Sequence, residues 1–180
     1  MAAIFNTTMD QGSDWSLTVF YRQPAEITNI VGNGTTVTVT AENSFTPGQT
    51  VSIDGVIPSQ YNLQNVTIAT ATGSSFTITN AATGTYISGG IASGALDITG
   101  YTAKMQMRPE PNDPTAVLTL QTGSGITITG ATGQIDLFAT ATQTNIDQGP
   151  YYYDLEIYTG PNVTRVIQGQ IVVSAEITIQ

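Results

Sequence analysis

The chain has 180 residues, enough for one domain of ordinary size or two small ones. Hydrophobic residues make up 40% and charged residues only 9%, and the net charge of −9 leaves four basic side chains, Arg22, Lys104, Arg108 and Arg165. That surface repels phosphate backbones, which argues against a nucleic-acid partner, and the lack of Cys and His removes disulfides, thiolate or His-ligated zinc, and Ser-His-Asp or Cys-His catalysis.

Apolar residues alternate along the chain instead of recurring at three and four, so strands are expected throughout and no helix. Thr, stiff at χ1, sits repeatedly beside Ile or Val and suits a pleated surface. Trp15 to Tyr21 reads as the first strong strand, ended by Gln23-Pro24 because Pro cannot donate to a ladder. The segment through Met9 reads as an arm that orders on assembly.

From Glu26 the texture changes. Glu26 to Val31 runs into Gly32-Asn33-Gly34, a hairpin signal, and Thr35 to Thr40 then alternates Thr and Val. Thr46-Pro47-Gly48-Gln49 predicts a type II turn. Val51 to Val56, Val66 to Ala71 and Ser75 to Thr79 read as strands, and Gly84 to Gly90 as the way out. After Gly94 come Thr102 to Arg108, a loop with three prolines from Pro109 to Pro114, and Ala116 to Leu120. Ile126 to Ile128 and Gln134 to Phe138 flank a Gly-rich turn. Tyr151 to Tyr158 pairs across Thr159-Gly160-Pro161-Asn162 with Val163 to Val173, and Glu176 to Ile179 is a last expected strand.

The first strand has too few local partners to bury both faces, and its partners are expected after Leu96. The expected fold is all-β: a sandwich body, residues 1–24 plus 95–180, interrupted by a second small β-barrel or sandwich domain, residues 25–94.

The order of Asp10 to Trp15, Asp97 to Arg108, Gly149 to Leu155 and Arg165 to Gly169 resembles small tailed-phage virion proteins with an Ig-like antiparallel sandwich. These are akin to the N-terminal modules of baseplate and fibre-attachment proteins. The resemblance covers residues 8–24 and 96–180. Phe45 to Gly55, with Tyr61-Asn62 and Phe76-Thr77-Ile78, resembles a small β module of phage tail and surface proteins, although Leu63 stands where Gly is expected. The resemblance implies a non-enzymatic virion component docking on capsid, neck or tail. Its implied partners are other virion proteins and further copies of itself, in a decoration, cement or attachment role. The alternative is a carbohydrate-binding or host-attachment module that uses the inserted domain on a host surface glycan.

No catalytic, cofactor-binding or metal residue is expected. Asp154 and Glu156 share a strand face and could in principle serve glycan hydrolysis, but the solvent side of a half-buried strand is the simpler reading, since Tyr153, Leu155 and Ile157 face the other way. Asp10, Asp14 and Asp97 could approach one another, without the spacing of a calcium loop. Lys104 reads as a solvated strand residue. Tyr151, Tyr153 and Trp15 are expected in the core, one tyrosine resembling a tyrosine corner, while Tyr152 stays open between core and binding surface. Asn-X-Thr at Asn6, Asn33, Asn65 and Asn162 reads as chance in a Thr-rich chain, and Gly32 to Gly34 and Gly123 to Gly125 as turns. No window approaches a membrane span of about 20 apolar residues, and no basic amphipathic helix suggests a membrane partner. Met1 to Asn6 lacks the marks of a signal peptide, so the expected location is a virion assembled in the host cytoplasm and released by lysis.

Overall fold

The structure is a computed structural model that describes residues 2–177. It is all-β, with two sheets, one curled and mixed, the other antiparallel. Among the described residues there is no α-helix, only single 3₁₀ turns at Ser59–Tyr61 and Gly130–Thr132. The chain packs as two compact units, Met1–Phe20 with Asp97–Gln180, and Tyr21–Leu96.

The first unit begins with β1 (Ala3–Ile4), β2 (Thr7–Asp10) and β3 (Trp15–Phe20). Met9 and Trp15 are buried, and the Trp15 indole N–H donates to the Thr8 carbonyl at 3.0 Å. Within the expected arm, Ala3–Ile4 and Thr7–Asp10 are therefore paired with the last strand of the sheet rather than awaiting a partner.

The second unit holds β4 (Arg22–Glu26), β5 (Asn29–Asn33), β6 (Thr36–Thr40), β7 (Thr50–Asp54), β8 (Leu63–Ala71), β9 (Ser75–Thr79), β10 (Thr83–Thr85) and β11 (Ile91–Ala95). Their order is β10-β5-β6-β9-β8-β7-β11-β4. Pro24 does not end a strand as expected. It lies inside β4, opposite Ser93, and β4 closes the order, where a missing N–H is tolerated. The segment expected to lead out overlaps β10 at its start and is followed by β11, which sits between β7 and β4.

Alternation explains the core of this unit. Val37 and Val39 on β6 and Phe76 and Ile78 on β9 point inward, while Thr38 is exposed. The Phe45 and Phe76 rings meet edge to face, 5.4 Å between centroids. A Cβ at Gly94 would strike the Phe45 ring, so glycine lets that ring lie against β11. Gly48 adopts φ +87° within a turn closed by Gln49 N–H to the Thr46 carbonyl, as the Pro-Gly pair predicts. Asn33 holds the β5–β6 turn by accepting from the Thr35 and Thr36 N–H groups at 3.0 and 2.8 Å. The unit's two ends are tied together: Arg22 pairs with Ala95, and Leu96 N–H donates to the Tyr21 carbonyl at 3.0 Å.

Back in the first unit follow β12 (Thr102–Arg108), β13 (Leu118–Thr122), β14 (Gly125–Thr129), β15 (Gln134–Ala139), β16 (Gly149–Thr159) and β17 (Asn162–Ser174). The order is β1-β17-β16-β12-β13-β14-β15-β3, with β2 also on β17. The expected purely antiparallel arrangement needs correction. β1 and β2 run parallel to β17, and β13 meets β14 through a short parallel step around Gly123. The chain crosses from β2 to β3 through Gln11 to Asp14, so the first strands reach both ends of the sheet, and direction follows from where each arrives. Glu176 and Ile177 are not in a strand, and the rest of that expected strand lies outside the described residues.

Candidate functional site

β16 lies between β17 and β12 in the sheet of the first unit. Tyr151, Tyr153, Leu155 and Ile157 are buried, while Tyr152, Asp154, Glu156 and Tyr158 face outward. The period of two produces both sets from one strand. Tyr151 donates to the Asp147 carbonyl at 2.8 Å, and Tyr153 donates to the Phe5 carbonyl at 2.8 Å. Burial pushes the Tyr153 hydroxyl up to about 12. Tyr158, desolvated and donating to Glu156 at 2.8 Å, is likewise raised to about 12.

The outward carboxylates share one cation. Arg165 Nη2 lies 2.9 Å from Asp154 and 3.2 Å from Glu156. Desolvation raises the Asp154 pKa, and the Arg165 charge partly opposes that rise. In glycoside hydrolysis two carboxyls flank a scissile bond, with substrate or water between them. Here a guanidinium occupies the place between the carboxylates.

Register brings further side chains onto the same face. Lys104, Gln106 and Arg108 of β12 stand opposite Glu156, Asp154 and Tyr152. Arg108 donates to the Gln106 side chain at 2.9 Å and to the Asp113 carbonyl, which holds the three-proline loop against the sheet. From β17 come Gln168 and Gln170, with Gln168 accepting from Arg165 at 3.2 Å. Asn6, between β1 and β2, accepts from the Gln170 backbone N–H at 2.9 Å. All of these except Lys104, Glu156 and Asp113 line a groove of about 600 Å³, walled by Pro111 and Asn112 on one side and by Ile4 and Asn6 on the other. Tyr152 forms part of its floor and is 37% exposed.

Other candidate residues have structural places. Trp15 is in the core, and Lys104 is half-buried on the outer face of β12. Asp10, Asp14 and Asp97 are engaged separately: Asp10 accepts from the Ser174 hydroxyl at 2.6 Å, Asp14 from Ala141 N–H at 2.8 Å, and Asp97 from Thr99 N–H at 2.8 Å. The Thr99 hydrogen bonds lower the Asp97 pKa. Among the described residues no group of three or more acidic side chains is arranged for a metal ion. Of the Asn-X-Thr positions, Asn6 and Asn33 spend their side-chain oxygens on backbone N–H groups, and Asn65 adopts a left-handed φ of 54°.

Sequence reasoning leaves Tyr152 undecided and does not single out Gln106, Asn112, Gln168 or Gln170, which are ordinary polar residues until strand register assembles them. No family model matches the chain, and no curated protein sequence matches it either.

Proposed function

We propose that this protein is a non-enzymatic structural component of a tailed-phage virion, with an Ig-like sandwich body and an inserted β domain. The observation that carries the architectural part of this reading is the strand order of the first unit. Divided at the weak β13–β14 step, it gives one face β2-β17-β16-β12-β13 and a second face β14-β15-β3. In chain order this is a sandwich whose first strand lies beside its last. Tyr151, near the start of β16, with its hydroxyl bonded to a backbone carbonyl just upstream, matches a tyrosine corner and supports the same reading.

On this reading the body docks on capsid, neck or tail, and the insert contacts a neighbour or projects. Function lies in presented surface and repeated copies, consistent with symmetric assembly. The fold supports the architecture, and the virion role rests on the sequence resemblance. The test is mass spectrometry of purified particles, with heads and tails separated and this chain quantified against the major capsid protein. The expected result is the chain in one fraction at a copy number set by that structure's symmetry. Its absence from both fractions overturns the proposal.

A further inference from the structure

The groove on the β12-β16-β17 face has a chemistry of its own, independent of any role in a particle. Its floor carries an exposed aromatic ring, Tyr152, and its lining includes Arg108, the register partner of Tyr152 on β12, whose guanidinium is held by Gln106 and the Asp113 carbonyl. The Gln170 and Asn112 side-chain amides line it and make no hydrogen bond among the described residues. The Gln168 amide accepts from Arg165 and retains its donors. Asp154 places a carboxylate beside Arg108's row, with one oxygen held by Arg165.

This set is matched to a polyol. A hydroxyl both donates and accepts, so adjacent hydroxyls satisfy a carboxylate, a guanidinium and amides together. The apolar face of a sugar ring covers an aromatic ring that otherwise remains exposed to water. Charge decides the class further. The face carries Lys104, Arg108 and Arg165 against the carboxylates Asp154 and Glu156, a local excess of one positive charge, while the chain as a whole carries −9. A local excess of one charge inside a strongly negative whole-chain field gives little net draw on an anion. A groove of about 600 Å³ falls within the ordinary range for small-ligand sites.

We propose that this groove binds a short uncharged oligosaccharide, with one ring stacked on Tyr152 and hydroxyls shared among Arg108, Asp154 and the Gln168 and Gln170 amides. The site lies on the sandwich body and not on the insert.

The test is titration of the full chain with a panel of neutral hexose trisaccharides and a matching panel of uronic-acid trisaccharides, at low and high salt. At least one neutral trisaccharide binds with an affinity that salt leaves unchanged. Tyr152→Ala and Gln170→Ala each weaken it by about tenfold without moving the melting temperature, while Ile87→Ser, an exposed position of the second unit, leaves it intact. Three results overturn the proposal: no neutral trisaccharide bound at millimolar concentration, binding that survives both groove variants, or a salt-sensitive preference for uronates. Particle copy number is a separate measurement, so failure here leaves the virion reading standing, and the converse also holds.

Discussion

Three consecutive tyrosines on β16 have three different physical situations. Tyr151 and Tyr153 are buried with hydroxyls satisfied by backbone carbonyls, and Tyr152 between them faces the groove. Burial keeps Tyr153 protonated to about pH 12, whereas a tyrosine in the unfolded chain has its ordinary value of 10.0. Tyr158 behaves alike, through desolvation and its bond to Glu156. For both, the folded pKa is raised, so their contribution is fully present below the unfolded value and declines as pH rises towards about 12. Denaturant midpoints measured across that interval should fall steeply. Tyr153→Phe should lower stability at neutral pH, by about 1 kcal/mol for the lost hydrogen bond, and flatten the alkaline fall. An unchanged alkaline slope in the variant would show that Tyr153 does not carry it.

Elements were legible in proportion to how local their causes are. β6 and β9 were readable because Val37, Val39, Phe76 and Ile78 alternate with Thr or Ser, and β12 matched its expected bounds. β11 was not, because its small residues give no apolar alternation, and Gly94 is small for the sake of Phe45, a residue far off in sequence. The parallel seat of β1 and β2 on β17 joins the two ends of the chain, and no local pattern encodes it. A bulge hides in β17: Leu155 faces Ile167 and Glu156 faces Arg165, leaving Val166 as an extra residue, so Val166 and Ile167 are both buried and the alternation changes phase. The groove depends on these registers, which is why its polar residues looked unremarkable in the sequence. One glycine is decisive for the β1 contact. A Cβ at Gly169 would fall on the Phe5 carbonyl, a backbone group that cannot step aside cheaply. Gly169→Val should separate β1 from β17, destabilise the protein by about 1–3 kcal/mol, and strip hydrogen-exchange protection from Phe5 N–H, which donates to Gln168 at 2.9 Å. Retained protection at Phe5 would refute this account of the glycine.

At the scale of the molecule, one compact unit interrupts the other, and the chain enters and leaves the interrupting unit at neighbouring residues tied by the Tyr21–Leu96 hydrogen bond. A short bridge can therefore replace that unit without stretching the chain. Deleting residues 22–95 behind a Gly/Ser bridge should leave a body that unfolds cooperatively in denaturant. A broad transition without a native baseline would show that the body depends on its insert.

The parallel seat of β1 and β2 beside β17 also has a mechanical side. Two neighbouring strands that run the same way have their outer ends at opposite ends of the ladder. Tension between Ala3 and Ser174 therefore slides one strand along the other and loads the inter-strand bonds together. Between antiparallel neighbours such as Gly149 and Val173, the same tension opens the bonds one at a time. The first arrangement resists pulling, the second peels, and in this unit the resistant one joins the two ends of the chain.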